Sequence, residues 1–160
     1  MALASPAQVT FTCTAGQDYG NNEGCQKAFD HDKNTKWCKA QSDASYALFT
    51  ASQPVYVWGY EFTTANDNES FTRLVRGWKL YAPTDAYVAS KANSDEWIEI
   101  SAWENECVQS KNFATFRFFV EDTPQAAYKY FKLVITKMGG NLFQISEFNL
   151  CYNIYGNVKY

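Results

Sequence analysis

The chain has 160 residues, 46% hydrophobic and 19% charged, which is enough apolar material for one globular domain and excludes a disordered one. A net charge of −3 without a basic cluster argues against duplex nucleic acid, whose phosphates need Lys and Arg, and against an acidic membrane surface. No apolar run approaches the roughly 20 residues of a membrane helix, and the opening Met1 to Pro6 is too short and uncharged for a signal peptide.

Residues 7–13 alternate apolar side chains with Thr, the period of a half-buried strand. A loop at 16–24 leads into the segment Lys27 to Trp37, where Asp30, Asp32, Asn34 and Thr35 set side-chain oxygens among turn-forming residues. Such a loop lets carboxylates, hydroxyls and carbonyls converge on a hard cation, but about six to eight oxygens are needed and a distant carboxylate must complete the set. Glu147 is the candidate, because it stands in the apolar run of Phe143, Ile145, Phe148 and Leu150, where an unpaired charge is costly to bury. A simpler reading of the same residues is open: Asp30 and Asp32 close local turns, and Glu147 lies on a solvated face.

The polar run 38–45 reads as another loop, followed by strands at 46–50 and 55–63. In the second of these Tyr56, Trp58, Tyr60 and Phe62 share one face and Val55 and Val57 the other, so both faces are apolar and the strand is central. A polar loop at 64–72 precedes a strand at 74–81, a turn at 83–85 and a connection at 86–94. A short strand follows at 97–100, a loop at 103–112, and a strand at 113–120 carrying Phe113, Phe116, Phe118 and Phe119. After a turn at 122–124, residues 129–137 alternate with Phe131, Leu133 and Ile135 inward, and Gly139 and Gly140 break the pattern. The last strand, 143–152, changes apolar phase between Ile145 and Phe148, as a β-bulge at Ser146 and Glu147 would cause, turning a carbonyl and a carboxylate toward the loop. Recurring strands without a helical period predict an all-β sandwich in a single domain, 1–160, with its core at about 7–153.

Several of these segments carry a family likeness: Lys27, Ala28, Phe29 and Asp30 through Thr35, Lys36, Trp37 and Cys38; Arg73 to Trp78, Lys79, Leu80 and Tyr81; Asp95 to Ile100; and Tyr128 to Leu133 through Gln144 to Phe148. In order, and over nearly the whole chain, they resemble the discoidin, or coagulation factor 5/8 type C, family and its bacterial relatives, the family 32 carbohydrate-binding modules. The resemblance implies a galactose-binding-domain-like jelly-roll β-sandwich with one structural calcium, Ca2+. Its ligands would be the Lys27 carbonyl, Asp30, Asp32, Thr35, the Ser146 carbonyl and Glu147. Where the family usually has Gly after the first Asp, this chain has His31, a departure that bears on the turn geometry. The resemblance also favours a Cys13 to Cys151 bridge between adjacent terminal strands. Cys25 and Cys38 are then a second candidate pair and Cys107 is left over, while five reduced thiols are the alternative.

The inventory for catalysis is thin. There is a single His, and no G-x-S-x-G, H-E-x-x-H or G-x-G-x-x-G pattern occurs, so the chain reads as a binder and not an enzyme. Sugar recognition combines an aromatic platform with planar polar groups that fork onto hydroxyls, and the stretch Asn66, Asp67, Asn68, Phe71 and Arg73 supplies both. Galactose-binding members of the resembled family carry a His, an aromatic and an Arg on this loop; the corresponding positions here are Asn68, Phe71 and Arg73, and Asn68 in place of the His is a departure that bears on galactose specificity. A further aromatic usually comes from the loop before the final strand, which matches Asn141 and Phe143. Scaffold roles are open beside these: Arg73 bracing Asp67 or Glu69, Phe71 packing under its loop, Phe143 in the core. Asn68, Glu69 and Ser70 also form a glycosylation sequon, and a glycan there would cover the pocket.

These readings describe a non-catalytic, calcium-stabilised, lectin-like module that holds a larger protein against a glycan or glycoconjugate, with galactose-type sugars first in line, at an extracellular or cell-surface location. The rival is a discoidin-type adhesion or assembly module that recognises protein or lipid through loop tips at 18–24, 38–45 and 64–72.

Overall fold

The computed structural model describes residues 8–15, 22–40, 45–67, 72–83, 95–104, 111–121 and 126–154, with 85, 89, 91 and 93 singly. Its elements are β1 (Phe11–Ala15), a 3-10 turn (Cys25–Ala28), β2 (Trp37–Ala40), β3 (Tyr46–Thr63), β4 (Val75–Pro83), β5 (Trp97–Trp103), β6 (Thr115–Phe119), β7 (Tyr128–Met138), β8 (Leu142–Ile145) and β9 (Glu147–Asn153). All strand pairings among the described residues are antiparallel.

Strand β3 organises the sheets because it is 18 residues long and changes neighbours half-way. Its first half lies between β1 and β7, with Phe49 opposite Cys13 on one side and Phe131 on the other. Its second half lies between β6 and β9, with Phe62 opposite Phe116 and Phe148. From β7 the first layer continues through β4 to β5, while β2 and β8 form a separate two-stranded ribbon. The result is an all-β jelly-roll sandwich, the fold class expected. Between the layers the aromatic rings pack on one another: Phe49 stacks on Phe131 at 5.2 Å, Phe29 lies 4.9 Å from Phe49, and Phe62 lies 4.8 Å from Trp78. Each such contact is worth about 0.5–1.5 kcal/mol beyond the area it buries.

The structure corrects the sequence reading at four places. Residues 46–50 and 55–63 are one strand, since a register slip between Thr50 and Val55 absorbs Pro54 without ending the pairing. A second slip between Val57 and Gly59 inverts the alternation, so Val55, Val57, Tyr60 and Phe62 are all buried rather than divided between two faces. The start of the supposed polar loop at 38–45 is strand β2, whose Cys38 and Lys39 are buried against β8. The last strand is two: at Ser146 the chain leaves β2 and joins β3, a change of sheet where a bulge was predicted.

Neither predicted disulfide pairing forms. Cys13 is bonded to Cys25, with their Cα atoms 5.9 Å apart. Cys151 sits opposite Gly59 and Cys13 opposite Phe49, ten residues apart along β3, so the two terminal strands meet different halves of it. Gln26 holds the bridged turn against β1, its Oε1 accepting from the Cys13 N–H at 2.8 Å and its Nε2 donating to the Phe11 carbonyl at 3.3 Å. Cys38 is a buried free thiol, Cys151 is a half-buried one, and Cys107 lies outside the described residues.

Candidate functional site

The loop between the 3-10 turn and β2 is folded by its own short polar side chains. The Asp32 N–H donates to Asp30 Oδ1 at 3.0 Å, the Asn34 N–H to Asp32 Oδ1 at 2.9 Å, and the Thr35 N–H to the Asp32 carbonyl at 3.0 Å. Between the two aspartates His31 takes φ 60°, the left-handed conformation that glycine adopts freely. The departure from the family's Gly therefore leaves the turn intact, and His31 itself is exposed on it.

At the centre of this loop, oxygens outnumber protons. The Thr35 hydroxyl lies 2.7 Å from Asp30 Oδ2, 3.1 Å from the Asp32 carbonyl and 3.4 Å from the Lys27 carbonyl, with one proton to give among three acceptors. The junction of β8 and β9 closes over the cluster. Ser146 is fully buried; its hydroxyl meets the Lys33 and Thr35 carbonyls, and its N–H donates to the Thr63 carbonyl at 2.9 Å. Glu147, beside it, is 6% exposed, and neither of its carboxylate oxygens makes a hydrogen bond of good geometry. Burial, and then the neighbouring Asp30 carboxylate, push its pKa up to about 7, against a smaller opposing pull from the His31 and Asp32 backbone. Burial also acts to raise Asp30, but the Thr35 hydroxyl and the Asp32 N–H outweigh it and hold this carboxyl below its usual value.

Of the residues predicted to bind a cation, Lys27, Asp30, Asp32, Thr35, Ser146 and Glu147 are thus drawn together. Asp32 turns its carbonyl to the cluster and spends Oδ1 on Asn34. No group of three or more His, Cys, Asp or Glu side chains capable of holding a metal occurs among the described residues. The convergent donors are carbonyl, hydroxyl and carboxylate oxygens with an orphaned buried carboxylate at one end, a set that fits a hard cation rather than a transition metal.

Next to this cluster the chain builds a polar rim around Lys36. Its ammonium donates to Asn66 Oδ1 at 3.0 Å, Asp67 Oδ2 at 2.9 Å and Gln144 Oε1 at 3.0 Å, and Glu23 lies 3.8 Å away. Arg73 donates to the same Asp67 oxygen at 3.2 Å, and Lys36 above all holds the Asp67 carboxyl below its usual range. At Gly140 any side chain would collide with the Thr72 carbonyl, 2.6 Å from where its Cβ would stand, so glycine lets the turn after β7 close against Thr72. Asn22, Glu23, Lys27, Asn34, Thr35, Lys36 and Asn66 line an open cleft of about 590 Å³.

The structure brings Asn66, Asp67 and Arg73 together around Lys36, and Arg73 fills the bracing role left open for it. Asn141 is exposed in the turn between β7 and β8. Phe143 is not a sugar platform: it is fully buried and meets Trp37 edge-on at 4.9 Å, because its register opposite Lys39 in the β2–β8 ribbon turns it into the core. Asn68, Phe71, the sequon and the loop tips at 18–21, 41–44 and 68–71 lie outside the described residues. Sequence reasoning missed Lys36 and Gln144. The available signal was Gln144 itself, a polar residue in an apolar run, which needs a partner when buried.

No protein-family model matches the chain, and no curated protein matches it. Among solved structures, the family 32 carbohydrate-binding module of NanJ from Clostridium perfringens, in complex with galactose, covers 91% of this chain and 93% of its own at a TM-score of 0.58 and 16% identity. The fold is that of the family 32 modules. Two such modules of ZmpB from the same organism, in complex with GalNAc, form a chain that matches 91% of this one and 34% of its own, at a TM-score of 0.63 and 16% identity. A family 89 glycoside hydrolase of C. perfringens matches at a TM-score of 0.64 and 14% identity, and this chain, 92% covered, spans 14% of its length. No described helix of this family 32-like chain is long and apolar enough to cross a membrane.

Proposed function

We propose that the protein is a non-catalytic glycan-binding module whose binding rim is held in place by a calcium ion. The observation that carries this reading is the junction of two sites through one short loop: Thr35 belongs to the oxygen cluster, and Lys36, the next residue, gathers Asn66, Asp67 and Gln144 at the cleft. Amide and carboxylate forks beside a guanidinium are what neighbouring sugar hydroxyls need, and Arg73 gives Asp67 only part of its donor set. Galactose-type sugars are the first class to test, because modules of this fold are seen with galactose and GalNAc.

The Lys27 carbonyl, Asp30, the Asp32 carbonyl, Thr35 and Glu147 would hold the calcium, with the Ser146 carbonyl closing the set. Bound calcium supplies positive charge to a buried, proton-poor group of oxygens. Its role here is structural: it fixes the strand junction at Ser146 against the loop that positions Lys36. An extracellular setting is supported by the Cys13–Cys25 bridge, which persists where thiols are not kept reduced. The matched hydrolase is much longer than this chain, which supports service as a tethering module of a larger protein.

The test is a glycan array with and without chelator, repeated on Arg73→Ala. Binding that Arg73→Ala abolishes without moving the melting temperature is expected; an array on which the wild-type chain binds no glycan would overturn the reading and favour adhesion to protein.

A further inference from the structure

Phe113 has an unusual conformation and an unusual position. Its φ is 53°, in the left-handed region, where a bulky side chain is rare and strained. Burial offsets this only in part, since the residue is 41% exposed. The sequence placed Phe113 at the start of a strand, but the strand begins at Thr115 and Phe113 stands in the turn before it.

The strain is held by a latch. Thr64 donates its N–H to the Ala114 carbonyl at 2.9 Å, and its hydroxyl accepts from the Ala114 N–H at 2.9 Å and donates to the Lys111 carbonyl. Three hydrogen bonds thus fix residues 111–114 against Thr64, two positions before Asn66 of the rim. On the other side, Lys33 of the oxygen-rich loop places its ammonium 6.0 Å from the centre of the Phe113 ring. An exposed aromatic, locked by its surroundings in a conformation it would not choose, stands at the same end of the sandwich as the cation loop and the Lys36 cleft. With Phe143 in the core, Phe113 is an exposed ring beside the cation loop.

We propose that Phe113 is the aromatic platform for a bound sugar ring, and that Lys33 beside it makes the site selective for sugars bearing an anionic substituent, a carboxylate or a sulfate. This rests on the glycan-binding reading and names the class of glycan. The ring's apolar face stacks on Phe113, and the ammonium that lies over the aromatic meets the anion at its edge. The arrangement follows the principle that strain retained by an over-determined backbone marks a functional position.

The experiment measures binding of methyl galactoside and its 3-sulfate, with lactose and sialyllactose as a second pair, to the wild-type chain and to Phe113→Ala, Phe113→Trp, Phe113→Gly and Lys33→Ala. Wild type is expected to prefer the charged member of each pair. Phe113→Ala should weaken binding about tenfold or more, as loss of a buried-contact aromatic does, and Phe113→Trp should retain it. Phe113→Gly should lose binding equally while melting about 2–4 °C higher, because glycine takes the left-handed φ without strain. Lys33→Ala should narrow the preference for the charged sugars about threefold to fivefold, the size of an exposed charge contact. Phe113→Ala binding like wild type while Arg73→Ala does not would overturn this proposal and leave the glycan reading standing. A lower melting temperature for Phe113→Gly, or wild-type preference for the neutral sugars, would overturn it too. Failure of the wild-type chain to bind any glycan would remove both.

Discussion

Replacing Glu147 with Gln should change stability in opposite directions with and without calcium. In chelator, the folded state holds the Glu147 proton more tightly than the unfolded chain does, with a pKa of about 7 against an ordinary 4.5. A carboxyl raised in this way favours folding fully below the unfolded value, and that advantage is lost as pH rises through the folded value. The interval, at about 1.4 kcal/mol for each tenfold, amounts to about 3 kcal/mol of stability lost between pH 4.5 and 8. Asp30 acts oppositely, with stability present above its ordinary 3.8 and lost as pH falls further, so it does not mask this window. Glu147→Gln removes the buried charge but leaves an amide with no partner, which costs about 1–3 kcal/mol. At pH 8 in chelator the variant should therefore melt no lower than wild type, and up to a few degrees higher. With calcium at a hundred times its dissociation constant, wild type gains about 2.7 kcal/mol by mass action, and the variant loses most of that gain. Scanning calorimetry at pH 5 and 8, in chelator and in calcium, reads all four corners. If Glu147→Gln melts well below wild type in chelator at pH 8, the Glu147 carboxylate is held by the protein alone and no cation is needed at the junction.

Three further outcomes follow from the same geometry. His31→Gly should stabilise the chain by roughly 0.5–1 kcal/mol in chemical denaturation, because glycine takes the left-handed φ of 60° without a Cβ clash; a loss of stability would mean that His31 makes a contact beyond its turn. Phe143→Ala should cost about 3–5 kcal/mol, as truncation of a fully buried aromatic does, whereas Phe113→Ala should leave the melting temperature within a degree or two; equal costs would refute the separation of core and rim. Replacing Cys13 and Cys25 together by Ser should destabilise by about 2–3 kcal/mol, the usual scale for opening a loop of 12 residues, and should weaken calcium binding in titration calorimetry, since Lys27 lies in the turn that the bridge anchors.

The legible parts of the molecule were those in which the governing interaction is local or the pattern strictly periodic. Strand β7 was read almost to its ends because Phe131, Leu133 and Ile135 alternate without interruption and bury one face. The oxygen-rich loop was legible because its turns are made by side chains two residues from the backbone groups they bind, as Asp30 does with Asp32 and Asp32 with Asn34. Even Glu147, more than a hundred residues away, announced itself as a charge in an apolar run. What escaped depends on which half of a long strand a neighbour chooses. Nothing in the alternation of β3 tells that Cys13 faces Phe49 and Cys151 faces Gly59, and the disulfide follows from that choice.

The opposite placements of Phe143 and Phe113 have the same origin. Each aromatic stands where a turn meets a strand, at which point the period that distinguishes inside from outside starts or stops, so sequence alone could assign either one to the solvent. Phe143 enters the core because β8 pairs with β2, a strand hidden in the sequence by its Lys39, which is 1% exposed. Phe113 is held out because Thr64, itself buried, directs both its backbone and its hydroxyl to residues 111 and 114. Thr64→Val, which keeps the backbone bond but removes both hydroxyl contacts, should therefore let Phe113 relax toward an ordinary φ. If the platform depends on that latch, Thr64→Val should weaken glycan binding while Phe113 itself is unchanged, and a variant that binds like wild type would show that the ring needs no help to stand where it does.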